Sequence, residues 1–431
     1  MAEPPSLNGA DTAAAAASGH QSLQRRREPR NKRQLCIVFA GTHRFTGNRH
    51  TGQPSRAANR GRGMPTNTVT ANYWLRESNQ VSDRSKERSI RRVRARAPLR
   101  LGLAGGGTDV SPYCDTYGGL VLNATIDRYC YSTLEETTDC SIEFRAPDIG
   151  VIDNVTAGPE AQSTPLNLHR AIYERMNRDF DLGRPRIRLT TISDAPPGSG
   201  LGSSSTLVVS AVEAFREFFG LPLGEYDVAR LAFEIEREDY GQAGGSQDQY
   251  AATFGGFNVM EFGPSGRIIV NPLRIKEATL RELEASIVLF HTGVSRNSAD
   301  IIQRQTTYIS SGAAEQLEAT HKLKDEAVAM KEALLKGDLV QLAEVLDRGW
   351  QAKKQLAEGI SNSNIEQCFE VAHGAGALAG KVSGAGGGGF VLFLTDPVRR
   401  PAVMQALDDL RIGAVQPTHF VSEGAVAWSL R

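Results

Sequence analysis

The chain has 431 residues, 49 lysines and arginines against 49 aspartates and glutamates, and no net charge, a length that allows two to three domains' worth of core. Neutrality hides an asymmetry: residues 1–96 hold 19 basic against 6 acidic side chains (+13), leaving 30 against 43 (−13) for the remainder. No apolar run approaches the ~20 residues of a membrane span, no secretory h-region follows the start, and the five cysteines (Cys36, Cys114, Cys130, Cys140, Cys368) are odd in number and lack metal-ligand spacing, which excludes a disulfide scaffold and points to a reduced, cytoplasmic protein.

Residues 1–92 carry an alanine run at 13–17 and Arg/Ser/Asn/Gly-rich stretches at 25–33 and 55–62, with one short apolar stretch at 35–40. Such a segment cannot bury enough apolar surface to offset its ordering entropy, so it reads as a disordered basic N-terminal extension. Three readings of it stay open. It is an extension from a start codon placed too early, Met64 being the internal methionine ahead of the motifs; an Arg-rich, acid-poor transit peptide; or a basic arm for nucleic acid or an anionic surface. Without aromatic interleaving or a named RNA-binding motif, nucleic acid is the weaker partner.

From Val93 the pattern changes. Residues 98–103 read as a strand, 120–134 and 141–144 as further strands, 166–180 as a helix and 186–192 as an alternating, half-buried strand. Residues 203–219 place Leu207, Val208, Ala211, Val212, Phe215 and Phe218 on one helical face. A second helix over 225–239 turns Val228, Leu231, Ala232 and Ile235 inward. Strands follow at 257–262 and 286–290, then helices over 297–311, 313–336, 338–357 and 361–377. Late strands over 381–394 and 418–429 flank a helix at 398–410. Strand-rich then helix-rich halves rejoined by strands predict an α+β fold rather than a doubly wound parallel sheet. The expected divisions are 1–92, 93–285 and 286–431.

Three glycine-rich loops punctuate this pattern. The central one, Pro196-Pro-Gly-Ser-Gly-Leu-Gly-Ser-Ser-Ser205, feeds directly into a helix. Glycines let backbone N–H groups wrap an oxyanion, and the helix N-terminus adds positive potential, so Pro197, Gly198, Ser199, Gly200, Leu201, Gly202, Ser203 and Ser204 read as a nucleotide-phosphate cradle. It is neither a Walker A loop nor a dinucleotide fingerprint, and a tight turn with a serine N-cap is the plainer reading. The other two loops are Ala97 to Tyr113, with Ala-Gly-Gly-Gly-Thr-Asp at 104–109, and Lys381-Val-Ser-Gly-Ala-Gly-Gly-Gly-Gly-Phe390, whose Gly384, Gly386 and Gly387 allow close backbone approach.

One such loop near the start, one central and one late resembles the layout of the GHMP kinases, over roughly 93–431. Within that family, Ala-Gly-Gly-Gly-Thr-Asp at 104–109, Tyr-Gly-Gly at 117–119, Gly-Gly-Ser-Gln-Asp-Gln-Tyr-Ala-Ala at 244–252 and Ile-Ser-Asn at 360–362 are similar to kinases acting on the anomeric oxygen of D-glycero-D-manno-heptose 7-phosphate. The kinase half of L-fucokinase is similar in the same places. Galactokinase is more distant, because its Gly-Glu-His-Thr-Asp is replaced by Gly105-Gly-Gly-Thr-Asp109. The resemblance implies two lobes with the active site between them, ATP and Mg²⁺ as cofactors, and a monomer or homodimer acting on a sugar phosphate.

It also implies roles. Asp248 matches the catalytic base and Arg100 the arginine that supports it; Ser204 and Glu236 match the metal-linked positions; Thr108 and Asp109 match positions that hold sugar hydroxyls. Each has a plainer alternative: an N-cap for Asp248, an ordinary strand ion pair for Arg100, a solvated helix charge for Glu236, a turn for Asp109. A sugar that already carries a phosphate needs a second anion site, for which Arg296 is the first candidate, with Lys353, Lys354 and Lys381 as others. An L-fucokinase-like kinase and a non-catalytic sugar or nucleotide sensor of the same fold are the competing functions.

Overall fold

The computed structural model describes residues 90–138, 141–155, 165–294 and 298–430. The extension expected at 1–92 lies outside the described residues up to 89, as does Arg296. From Arg92 the chain runs β1 (Arg92–Ala104), α1 (Tyr113–Tyr117), β2 (Gly119–Glu136), β3 (Ile142–Ala146), β4 (Val151–Val155), α2 (Asn167–Phe180) and β5 (Ile187–Ser193). Next come α3 (Ser203–Phe219), α4 (Glu225–Glu234), α5 (Gln247–Phe254), β6 (Phe257–Phe262), β7 (Ile268–Pro272) and α6 (Glu277–Ser286). Then follow β8 (Ile287–His291), α7 (Ser298–Ser310), α8 (Ala314–Lys336), α9 (Leu339–Lys354) and α10 (Ser363–Ala375). The last elements are β9 (Ala377–Val382), β10 (Phe390–Thr395), α11 (Arg400–Asp409), β11 (Ala414–Gln416) and β12 (Val426–Leu430).

Two sheets result. The larger runs β12-β1-β2-β5-β3-β4, with β6 bridging β2 and β7; the smaller runs β11-β8-β10-β9. Among the described residues only the β3–β5 ladder is parallel, in keeping with an α+β fold. β1 shows how sequence sets burial: Val93, Ala95 and Ala97 are fully buried and alternate with half-buried arginines, after which burial becomes continuous. That change marks where both faces of the strand are covered. There Leu99, Leu122 and Phe257 of the large sheet share one apolar layer with Leu289 and Leu392 of the small sheet and with Met330 and Leu334 of α8.

Several elements differ from expectation. α3 is buried nearly all round, Ser205, Thr206, Ser210 and Glu213 included, because α2, α4 and α5 cover the faces that the large sheet does not. The helix expected over 225–239 is α-helical only to Glu234, then widens into a π turn, Ile235–Asp239. The strand expected at 418–429 contracts to β12, preceded by irregular chain with one isolated bridge, Ile126 to Phe420. β4, β7, α6 and β11 have no counterpart in the sequence reading. The boundary expected at 285–286 falls at the last turn of α6, and β12 crosses back to pair with β1.

Candidate active site

The three glycine loops converge. β1 ends in the first, α3 starts from the second, and the third joins β9 to β10. Arg100 N–H donates to Leu201 O (3.1 Å), fixing the central loop to β1. The third loop braces it from the other side: Phe390 N–H donates to Ser199 O (2.9 Å) and Ser383 Oγ to Gly200 O (2.9 Å). Gly200 has φ +83°, and a Cβ there would lie 2.4 Å from Ser383 O, so the contact requires glycine. Gly384 shares this close approach, whereas Gly386 and Gly387 pack on Ile360, ahead of α10.

Beneath the loops lies a cavity of about 510 Å³. Of the expected cradle, Pro197, Gly198, Gly200, Gly202, Ser203 and Ser204 line it, whereas Ser199 and Leu201 are fully buried beneath. Gly202 caps α3 without any side-chain hydrogen bond, so no side chain competes for the N–H groups that face an anion.

Arg100 and Asp248 meet at the cavity floor. Arg100 Nε donates to Asp248 Oδ1 (2.7 Å) and Nη2 to Oδ2 (2.8 Å), a two-pronged pair, while Nη1 reaches Gly200 O. Asp248 lies in the first turn of α5 and Arg100 in β1, so the pair ties a helix start to a strand.

Asp109 lies beside them and is buried. Its Oδ1 accepts from Gly107 N–H (3.1 Å) and Gln247 Nε2 (3.0 Å), and Oδ2 from Gln247 N–H (3.2 Å). Burial, with the charge of Asp248 in second place, raises its carboxyl above the usual aspartate range, against the pull of these backbone bonds. Gly245 must be glycine here, since a Cβ would sit 1.9 Å from Asp109 Oδ2. Thr108, expected on the sugar side, is turned away. Its hydroxyl donates to Gly105 O (2.8 Å) and accepts from Leu120 N–H (3.0 Å), and it is fully buried outside the cavity lining.

Glu236 and Arg237 come from the π turn, and both line the cavity. Such a turn re-aims successive side chains relative to an α-helix. Glu236 Oε2 accepts from Ser205 Oγ (2.6 Å) and Gln249 Nε2 (2.7 Å), so its hydroxyl partner is Ser205 rather than Ser204. Its buried Oε1 has no hydrogen-bond partner and lies 3.4 Å from Arg237 Nη1. Among the described residues no cluster of three metal-ligating side chains exists. A Mg²⁺ held by one carboxylate, one hydroxyl and nucleotide phosphates needs none, and Glu236 Oε1, buried without a hydrogen bond in the cavity that Ser204 also lines, fits that donor set.

The sequence offered Lys353 as a phosphate binder, and Lys381 either as one or, beside the third glycine loop, in a structural or nucleotide role. Both prove to be buried in the cavity wall. Lys381 Nζ donates to Gly102 O (2.6 Å), and burial, then the charges of Lys353 and Arg100, holds its ammonium well below the usual range. Lys354 instead lies outside, beside Trp350 and Glu366. Gln247, Gln249, Gln305 and Arg237 were not anticipated; Gln247 reaches Asp109 across 138 positions and Gln249 reaches Glu236 across 13.

Residues 167–256 match the GHMP kinases N terminal domain, and residues 330–410 the GHMP kinases C terminal domain. The chain is 46% identical over 342 residues to D-glycero-alpha-D-manno-heptose 7-phosphate kinase of Campylobacter jejuni, covering 79% of this chain and 100% of that one. A crystal structure of a D-glycero-D-manno-heptose 1-phosphate kinase from Bacteriodes thetaiotaomicron superposes with a TM-score of 0.67 at 45% identity, over 79% of this chain and 99% of that one. The L-fucokinase/L-fucose-1-P guanylyltransferase of Bacteroides fragilis is 26% identical over 334 residues, which are 71% of this chain and 35% of that protein.

Proposed function

We propose that this chain, which belongs to the GHMP kinase family and is an ATP-dependent sugar kinase, phosphorylates the anomeric hydroxyl of D-glycero-α-D-manno-heptose 7-phosphate. The product is the 1,7-bisphosphate, an intermediate for activated-heptose and surface-glycan synthesis in the cytoplasm, made by a monomer or homodimer. The observation that carries this reading is the 46% identity to a heptose 7-phosphate kinase along that protein's whole length. The fucokinase-like alternative rests on 26% identity.

The proposed chemistry follows from the cavity. N–H groups of the central loop and of the start of α3 hold the ATP phosphates. Asp248 accepts the proton of the sugar's anomeric O–H as that oxygen bonds to the γ-phosphorus and the bond to the ADP oxygen breaks. Each Asp248 oxygen already accepts one bond from Arg100 and keeps a second lone pair, so it takes the proton without losing its orientation. Arg100 aims the carboxylate and supplies positive charge near the transferred phosphoryl. Ser204 and Glu236 would hold Mg²⁺, which when bound neutralises phosphate charge. Asp109 accepts from sugar hydroxyls, and Arg296, which lies beyond the described residues, is the candidate for the terminal phosphate. A non-catalytic sensor would have no use for an aspartate and arginine paired at the end of a phosphate cradle.

Phosphorus NMR of heptose 7-phosphate with ATP tests the assignment. The expected result is a new anomeric phosphate resonance growing with ADP. Turnover of free L-fucose with none of heptose 7-phosphate would overturn it.

A further inference from the structure

Lys353 in α9 and Gln305 in α7 share a property that the roles above do not use: both are buried donors with too few acceptors. Each side chain is 5% exposed and lines the cavity. Gln305 Nε2 has no hydrogen-bond partner among the described residues. Lys353 Nζ makes one long bond, to Gly106 O (3.3 Å), though an ammonium has three N–H groups to place. Leaving such donors unmet in a protein interior is costly, so their retention points to a ligand that supplies oxygen.

The surroundings say what kind of oxygen. Asp109, an acceptor with three of its four lone-pair sites taken, and Asp248 both act on Lys353 electrostatically, as do Arg100 and Lys381 with opposite sign. Gly106 and Gly107 line the same cavity as Lys353, Gln305 and Asp109 and bring no side chain into it. A Cβ on Gly106 would stand 3.6 Å from Lys353 Nζ and 3.7 Å from Gln247 Nε2. A phosphate here would meet the two carboxylates. A hydroxyl, which accepts from an ammonium or amide and donates to a carboxylate, satisfies both walls at once.

We infer that Lys353 and Gln305, with Asp109, form a hydroxyl-reading subsite for the acceptor sugar, so that helices on the small-sheet side take part in acceptor specificity while the substrate phosphate binds elsewhere. This rests on the sugar-kinase reading and not on the identity of the sugar. Burial, outweighing Asp109, pushes the Lys353 ammonium down to about 8, so the subsite loses its strongest donor as pH rises past that value.

The test is steady-state kinetics of wild type, Lys353→Met and Gln305→Leu on heptose 7-phosphate, its monodeoxy analogues and L-fucose, with ATP varied separately. Lys353→Met should raise the acceptor KM roughly 10-fold or more, as loss of a charge-assisted hydrogen bond implies, with ATP KM within about twofold. Gln305→Leu, which cannot strand a charge if it folds imperfectly, should move the same constant by roughly 3-fold or more. On one monodeoxy analogue the Lys353→Met penalty should vanish, because the hydroxyl it binds is already gone. The wild-type acceptor KM should rise above pH 8, and that of Lys353→Met should not. A rise in ATP KM instead, or an equal penalty on every monodeoxy analogue, would overturn the subsite. If wild type uses fucose and not heptose 7-phosphate, the proposed substrate fails, and the same variants read on deoxyfucoses still decide this inference.

Discussion

Arg100 and Asp248, 148 residues apart in sequence, face each other as two parallel hydrogen bonds of 2.7 and 2.8 Å. The Arg100 side chain is 5% exposed and that of Asp248 18%, so little water competes for the pair. The geometry fixes both planes, which a lysine at position 100 could not do. Asp248→Asn should therefore lower kcat by roughly 100-fold or more with a modest change in ATP KM. Turnover near wild type in a protein that melts normally would remove Asp248 from the role of base.

Gly200 tests how far the third loop shapes the second. Gly200→Ala forces a left-handed conformation costing about 1–2 kcal/mol and a contact of 2.4 Å with a carbonyl that belongs to the brace itself. The expected result is a lower thermal midpoint together with weaker ATP binding, measured by calorimetry. Unchanged ATP affinity would mean that the brace does not set the cradle's shape.

Glu236→Gln keeps an acceptor for Ser205 and Gln249 but removes charge from the orphaned oxygen. The Mg²⁺ concentration giving half-maximal turnover should rise roughly 10-fold or more, with folding little changed. An unaltered Mg²⁺ dependence would exclude Glu236 as a ligand.

Stability against pH offers a test independent of activity. The folded value of Lys353 is about 8 against an ordinary 10.5, so between those values the unfolded chain binds a proton that the folded chain does not. The contribution of this group to stability therefore rises with pH across that window, by about 3 kcal/mol at most. Relative to Lys353→Met, wild type should gain thermal midpoint from pH 8 to pH 10, Lys381 being common to both. A parallel pair of profiles would place Lys353 in contact with water.

Local patterns carried the sequence reading where it succeeded. α3 and its loop were visible because glycine spacing and a 3.6-residue period are short-range signals, and the seam of Val228, Leu231, Ala232 and Ile235 was visible for the same reason. α6 was not, because only Thr279, Leu283 and Ser286 of its ten residues are buried, too thin a stripe to stand out. β7 ends in proline and β11 is three residues long. At the site, the family resemblance pointed to Asp109 and Asp248, which both line the cavity, but a motif match gives no side-chain direction. Thr108 has the right hydroxyl, yet the fold of the first loop turns it onto Gly105 and Leu120. Lys353 reaches Gly106 across 247 positions, a pairing that no local spacing encodes.

The measurement that bears most directly on the central claim is kcat/KM, from coupled ADP release, for D-glycero-D-manno-heptose with and without its 7-phosphate and for L-fucose. The account predicts that the phosphorylated heptose exceeds the free heptose by roughly 10-fold or more, the value of one charge-assisted phosphate contact, with fucose lower still. Equal constants for the two heptoses, or a preference for fucose, would contradict it.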